Sequence, residues 1–224
     1  MFLTFVTFLP FFGALFLVFL PKESTGTIKQ TALAVAVADF LLSLYLWTNF
    51  DNTTHAMQFS MNIPWIESWG INYHIGLDGI SLLLYVMTTF LTMICVIASW
   101  EIKKHIREYM IAMLVLSTGM LGVFIALDLF MFYVFWEFQL IPMYIIVGVW
   151  GGPRRIYASI KFFLFTAVGS LLMLVAILWI YFHIQETTGV ATADILYITD
   201  HISAPLATQK WLWLAFFLAF AIKV

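Results

Sequence analysis

Glu137 is an ionisable residue in the middle of a long apolar stretch that runs from Asp128 to Trp150. The stretch is about 23 residues long, which at ~1.5 Å per residue is enough to cross the hydrocarbon core of a bilayer. An ionised carboxylate near the bilayer centre costs on the order of 2.5–3.5 kcal/mol on insertion scales. The sequence therefore requires either a buried partner for Glu137 or a function that needs a carboxyl group at this depth.

Pro142 adds an irregularity to the same predicted helix. Proline has no N–H, so the carbonyl of Phe138 loses its helical partner. In lipid, a freed carbonyl must bind a neighbouring group or a water molecule. A carboxyl group beside a hydrated kink is suited to hold and release a proton. The alternative is a structural glutamate bonded to a neighbouring helix, with Pro142 as a packing kink.

Lys223 is a second ionisable residue that we expect deep in an apolar helix. It lies 13 residues after Lys210, which is about 20 Å of helix and takes it past the membrane midpoint. Burial favours the neutral forms of Glu137 and Lys223, whereas close approach favours their charged forms. A pair of this kind gains or loses protons when its separation changes, but the sequence does not reveal whether the two residues meet.

Two further residues are candidates to extend such a relay. Lys161 and His183 lie near opposite ends of one predicted helix. Lys161 is about one turn inside it, so the alternative is a side chain that extends to the headgroup region. We predict no metal site, and none of the histidines has the spacing of metal ligands.

The composition identifies the class of protein. Hydrophobic residues make up 63% of the chain and charged residues 10%, compared with about 25% charged residues in soluble domains. The single cysteine excludes an internal disulfide and a cysteine-ligated iron–sulfur cluster. The net charge of −2 gives no indication of nucleic-acid binding. We predict an all-α, polytopic membrane protein without a redox centre of its own.

The apolar stretches predict about seven transmembrane helices in a single membrane domain over residues 1–224, the last helix being incomplete. The predicted spans are 2–20, 30–50, 80–100, 109–127, 128–150, 157–182 and 210 onward. Because the chain stops inside the last span, we expect it to be part of a longer or split protein. Asp78 and Asp128 are well placed to cap the helices that follow them.

Three smaller features are also interpretable. Residues 62–65 and 72–75 can pair as a small hairpin in the polar loop 51–78. Asp39 lies within the second span, where we expect it to face other helices and to bond to a serine or a backbone group. Gly119 and Gly122 indicate close helix packing.

Lys and Arg are unevenly distributed between alternate loops, which predicts the orientation in the membrane. The loops after the first, third and fifth spans contain Lys22, Lys29, Lys103, Lys104, Arg107, Arg154 and Arg155. The loops after the second, fourth and sixth spans contain only Lys210. The first set is therefore predicted to be cytoplasmic, with the N-terminus on the opposite, periplasmic side.

The stretch Phe135-Trp-Glu137-Phe-Gln-Leu-Ile-Pro142-Met-Tyr resembles the fifth transmembrane helix of the proton-pumping, antiporter-like subunits of respiratory complex I, the NADH:quinone oxidoreductase. The similarity is greatest to the subunit M branch, which corresponds to mitochondrial ND subunit four. Supporting motifs occur in the expected order at 76–81, 158–166, 169–170 and 219–224. The resemblance covers nearly the whole chain.

The resemblance implies the N-terminal half of a fold of about fourteen helices. It implies that Glu137 and Lys223 are central to proton translocation, with Lys161 as the matching lysine of the sixth helix and a supporting residue. NAD, FMN, iron–sulfur clusters and quinone would then belong to partner subunits, where electron transfer from NADH to quinone drives the pump. The implied location is a bacterial inner membrane, in contact with lipid and with neighbouring antiporter-like subunits; a mitochondrial inner membrane is the alternative.

Other functions fit some of the same motifs. Cation/proton antiporter subunits of the Mrp type share the motifs around Glu137 and Lys223, and related hydrogenases and photosynthetic complexes use a similar membrane subunit. A purely structural membrane subunit is the third possibility. The sequence does not separate these by itself.

Overall fold

The computed structural model describes residues 1–223 and consists mainly of helices. In chain order the elements are α1 (Phe2–Val18), α2 (Thr25–Thr48), β1 (Gln58–Ile66), β2 (Ile71–Leu77), α3 (Gly79–Ala98), α4 (Ile106–Ile125), α5 (Leu129–Phe138), α6 (Leu140–Trp150), α7 (Arg155–Thr188), α8 (Ile195–His201) and α9 (Leu206–Lys223). This confirms the predicted all-α class, with one small hairpin added.

Five stretches of the described chain are long and apolar enough to cross a membrane. They are Thr25–Thr48, Gly79–Glu101, Ile106–Ile125, Leu129–Trp150 and Arg155–Thr188. Helix α1 is apolar but has only 17 residues. The chain is therefore a polytopic membrane protein, and the count of seven spans remains a prediction.

Helices α1 to α4 form a bundle in which α4 occupies the centre. Helix α4 packs against α1, α2, α3, α5 and α6. Small residues allow this close approach. A Cβ added at Gly122 would lie 2.2 Å from the Phe135 ring of α5, and one at Gly119 would lie 2.9 Å from the Gln139 side chain. The predicted role of both glycines in close helix packing is confirmed.

Aspartate caps fix the starts of two membrane helices, as predicted. Asp78 accepts a hydrogen bond from the Ser81 N–H at 2.7 Å at the start of α3. Asp128 accepts hydrogen bonds from the N–H groups of Phe130 and Met131 at the start of α5. These bonds satisfy N–H groups that have no partner within the helix.

The predicted hairpin is present and is longer than expected. Strands β1 and β2 are antiparallel, with Asn62 opposite His74 and Pro64 opposite Asn72. Strand β2 is also held by the chain beyond α4, because the Leu127 N–H donates to the His74 carbonyl at 2.9 Å. The hairpin is therefore anchored directly at the start of α5.

The segment after the sixth predicted span differs from the prediction. Helix α7 continues to Thr188 rather than ending near residue 182. The predicted polar loop also contains α8, which begins where the Asp194 carboxylate accepts the N–H groups of Leu196 and Tyr197. A short, mixed-polarity helix of seven residues gives too weak a periodic pattern to be recognised in the sequence.

Candidate functional site

The membrane stretch that contains Glu137 is interrupted in its middle. Helix α5 ends at Phe138 and α6 begins at Leu140, with Gln139 between them. Pro142 cannot donate to the Phe138 carbonyl, and the Gln139 side chain donates to the Phe135 carbonyl at 3.4 Å. The backbone is therefore irregular in the turn that follows Glu137.

Glu137 lies in the last turn of α5 and is partly buried. Its Oε1 atom is buried and has no hydrogen-bond partner among the described residues. A carboxyl oxygen without a partner in a low-dielectric environment is costly when the group is charged. A purely structural glutamate would be expected to form a hydrogen bond to a neighbouring helix. The Oε1 atom of Glu137 forms no such bond among the described residues.

Lys223 of α9 approaches the same turn of α5. Its Nζ atom donates to the carbonyl of Trp136 at 2.8 Å and lies 3.8 Å from the centre of the Trp136 ring. The carbonyl group and the ring face both attract a cation. The carbonyl belongs to the C-terminal end of α5, where the helix dipole also favours positive charge.

Glu137 and Lys223 are close without forming an ion pair. The Lys223 Nζ atom is bound to the carbonyl of Trp136, the residue directly before Glu137. Three pairs of oppositely charged side chains in residues 1–223 have a nitrogen and an oxygen within 4.0 Å of each other, and Glu137–Lys223 is not one of them. The three pairs are Lys22–Glu108, His74–Asp194 and Arg107–Glu108. The structure therefore brings together the two predicted residues of the site, with the lysine bound to the backbone beside the carboxylate.

Helices α5, α7 and α9 enclose this site with apolar side chains. The Trp136 ring packs edge-on against Phe220 at 5.1 Å. Gly169 of α7 permits the close approach of α9, since an added Cβ would lie 2.9 Å from the Ile222 side chain. The contact between Trp136 and Lys223 could not be predicted from the sequence, because a backbone carbonyl and a ring face have no sequence motif.

Lys161 and His183 are not part of this arrangement. Lys161 is exposed on α7, and its Nζ lies 5.9 Å from the Tyr157 ring. His183 stacks on Trp179, and its Nε2 donates to the Ser203 carbonyl at 2.8 Å. The two residues lie 22 positions apart on α7, or about 33 Å. Within residues 1–223, no hydrogen bond or ion pair joins either residue to Glu137 or Lys223.

A second polar cluster links the hairpin to the starts of α5 and α8. The His74 Nδ1 atom donates to the Asp194 carboxylate at 2.6 Å, and the Asn72 N–H donates to the Asp128 carboxylate at 3.1 Å. Burial raises the pKa of Asp128, while hydrogen bonds from backbone N–H groups oppose that shift. His74 and Asp194 are 120 residues apart, so the sequence did not predict their contact.

These features define a class: a polytopic helical membrane protein with a lysine beside a carboxylate at a helix break, where the carboxylate forms no ion pair within residues 1–223. Residues 126–224 match the family model described as NADH:quinone oxidoreductase/Mrp antiporter, transmembrane. This part of the chain is therefore similar to that family of membrane subunits, which agrees with the resemblance drawn from the motifs.

Individual relatives support the same assignment. The chain is 40% identical to NADH-quinone oxidoreductase subunit M of Rickettsia typhi, over 97% of the chain and 44% of the relative. It is 42% identical to NADH-ubiquinone oxidoreductase chain 4 of Marchantia polymorpha, over 96% of the chain and 43% of the relative. The chain thus spans less than half the length of these curated relatives.

Solved structures have the same fold. A chain of respiratory complex I from Thermus thermophilus with bound NADH superposes with a TM-score of 0.82 at 31% identity, covering 100% of this chain and 44% of the other. The Mrp complex from Dietzia sp. DQ12-45-1b gives a TM-score of 0.80 at 19% identity, covering 99% of this chain and 23% of the other. The second match is evidence for the fold alone.

Proposed function

We propose that this chain is the N-terminal part of a membrane subunit of NADH:quinone oxidoreductase, and that it takes part in moving protons across the membrane. The observation that carries the proposal is the buried, unpartnered oxygen of Glu137 at a helix break, with Lys223 held one residue away on the Trp136 carbonyl. A structural carboxylate would be satisfied by hydrogen bonds. A carboxyl group that must gain and lose a proton needs a partner that can approach and withdraw.

The chemistry follows from the distance between the two groups. When Lys223 moves from the Trp136 carbonyl toward Glu137, the Coulombic attraction favours carboxylate and ammonium. When it moves back, the low dielectric favours the neutral carboxyl group, so Glu137 takes up a proton. Repeated approach and withdrawal transfers protons in one direction if water reaches Glu137 from different sides in the two states.

The energy for this cycle would come from electron transfer in partner subunits, where NADH is oxidised and quinone is reduced. NAD, FMN, iron–sulfur clusters and quinone would bind to those partners, and neighbouring antiporter-like subunits would adjoin this chain. Residues 1–224 would form one membrane domain, the first half of a fourteen-helix subunit. Lys161 and His183 are proposed to connect Glu137 and Lys223 to the rest of the relay in the complete subunit.

From the loop charges we infer that the N-terminus lies on the periplasmic side of a bacterial inner membrane, with proton entry from the cytoplasm. Relatives come from bacteria and from organelles, so the mitochondrial inner membrane is the alternative location.

The test is NADH-driven proton uptake into inverted membrane vesicles containing the intact complex. We expect Glu137→Gln to abolish the part of the uptake that this subunit supplies, at unchanged abundance of the complex. The matched control is Glu186→Gln, because Glu186 is exposed on α7. Normal uptake by an assembled Glu137→Gln complex would show that Glu137 is structural.

A second candidate is a cation/proton antiporter subunit of the Mrp type, favoured by the family model and by the fold shared with the Dietzia complex. The subunits that co-purify with a tagged copy of the chain separate the two. NADH dehydrogenase subunits would support the proposal, whereas antiporter subunits without NADH-driven uptake would support the alternative.

A further inference from the structure

Asp39 is a buried carboxyl group away from the Glu137–Lys223 site. It lies on α2 and is 1% exposed. Neither of its carboxyl oxygens has a hydrogen-bond partner among the described residues. The expectation that it would bond to a serine or to the backbone is therefore wrong, although it does face other helices as predicted.

No cation in the surrounding bundle can compensate a charge on Asp39. Helix α2 packs against α1, α3 and α4, and α1 contains no titratable side chain. Helices α2, α3 and α4 contain seven titratable residues besides Asp39. They are Lys29 and Tyr45 on α2, Tyr85 and Cys95 on α3, and Arg107, Glu108 and Tyr109 on α4.

The basic residues among them lie at one end of the bundle. Arg107 donates to the carbonyl of Leu20, just after α1, and Lys29 donates to the carbonyl of Trp100, just after α3. Asp39 is 14 residues from the start of α2, or about 21 Å from that end. An ionised Asp39 would be a buried charge without a partner, which is among the most costly arrangements in a membrane.

A line of hydroxyl groups runs along the buried face of α3 beside this carboxyl group. The row consists of Tyr85, Thr89 and Thr92 on α3 and of Ser99, which directly follows α3. They are spaced by four, three and seven residues, which keeps them on one side. We refer to these four side chains as the hydroxyl row.

Each member of the hydroxyl row meets a hydroxyl group from another helix. Tyr85 meets Thr7 of α1 at 3.0 Å, and Thr89 meets Ser43 of α2 at 2.8 Å. Ser43 is four residues after Asp39, on the same buried face of α2. Thr92 donates to Ser117 at 3.2 Å, and Ser99 meets Tyr109 at 3.0 Å.

We propose that Asp39 is a proton-binding site: its carboxyl group is neutral at neutral pH, and the hydroxyl row exchanges its proton with the aqueous phase. Hydroxyl groups both donate and accept, so a row of them can pass a proton that a carboxylic acid releases and later return one. No other bond forms or breaks. Pairs of hydroxyl groups alone would be explained by their contribution to helix packing. The proposal of a bound proton depends on the carboxyl group of Asp39, which is buried beside them and has no hydrogen-bond partner among the described residues. The site is independent of the proposed role of Glu137.

The test is infrared difference spectroscopy of the intact membrane complex. We expect a carbonyl band of a protonated carboxylic acid that shifts in D₂O and on ¹³C-labelling of aspartate carboxyl groups. Aspartate labelling separates this band from Glu137 and needs no variant. Asp39→Asn should remove the band, whereas Asp51→Asn should not, because hydrogen bonds from Thr53 lower the pKa of the exposed Asp51.

The role of the hydroxyl row is tested by the rate at which the band shifts after transfer to D₂O. Thr89→Val should slow the shift about tenfold, the size of effect expected from losing one hydrogen bond. Thr88→Val is the matched control, because the Thr88 hydroxyl donates to the Leu84 carbonyl of its own helix and has no partner on another helix among the described residues. Equal rates in both variants would exclude the row as the route.

The whole proposal fails if no protonated aspartate band is present at neutral pH. It also fails if the band appears only when sodium is removed, since the ligand of Asp39 would then be a monovalent cation. These outcomes do not depend on proton pumping, so they leave the proposed function untouched.

Discussion

Glu137 and Lys223 show how far single residues could be interpreted from the sequence. Both were predicted because an ionisable side chain deep in an apolar helix is costly and needs an explanation. The sequence could not predict what holds Lys223, because the Trp136 carbonyl and ring that bind it are 87 residues away. Such a contact depends on how α5 and α9 pack.

The same limit applies to His74 and Asp194. Each lies in a polar segment and has no distinctive spacing, yet their side chains meet at 2.6 Å. Asp39 shows the opposite error, because the sequence suggested a satisfied side chain and the structure contains an unsatisfied one. The burial of Asp39 was predictable from its apolar surroundings, but the hydrogen-bond partners of these residues were not.

Helices were predicted best where capping and apolar length agree. Asp78 and Asp128 identified the starts of α3 and α5, and Pro142 identified the break between α5 and α6. The end of α7 and the presence of α8 were missed, since both lie in a polar segment where the apolar pattern that marks a span is absent. The hairpin was predicted from two short stretches and extends well beyond them.

The packing of α4 against α5 gives a prediction about the position of Glu137. Gly122→Ala places a Cβ where the Phe135 ring now lies, 2.2 Å away. Overpacking of this kind typically costs about 1–3 kcal/mol. We expect fewer assembled complexes, or less proton uptake per assembled complex, because α5 must shift with Glu137.

The control for that experiment is Gly26→Ala, since nothing lies within 4 Å of a Cβ added there. Complex abundance is measured by quantitative blotting, and uptake is measured with a pH-sensitive dye. An assembled Gly122→Ala complex with normal uptake would mean that α5 tolerates the shift and that the contact does not position Glu137.

For the whole molecule, composition and apolar length were enough to define the class and the helical architecture. They were not enough to fix the orientation, which we infer from the distribution of Lys and Arg. The prediction is that the loop after α3 is cytoplasmic and that the loop containing the hairpin is on the other side.

Cysteine labelling tests this orientation. With Cys95→Ala as background, Lys103→Cys should react with a membrane-impermeant maleimide in inverted vesicles, whereas Thr53→Cys should react only in vesicles of native orientation. Both positions are exposed. The opposite pattern would reverse the predicted topology and the direction of proton movement.

The central claim is that Glu137 and Lys223 act as one proton-transferring unit, and a double-mutant comparison tests it most directly. The measurement is the ratio of protons taken up to NADH oxidised for Glu137→Gln, for Lys223→Met and for the double variant, in assembled complexes. We expect both single variants to lose the same share of the ratio and the double variant to lose no more, because residues that act as a unit are not additive. If Lys223→Met pumped like the unmodified complex, or if the two losses added, the two residues would not form a single unit.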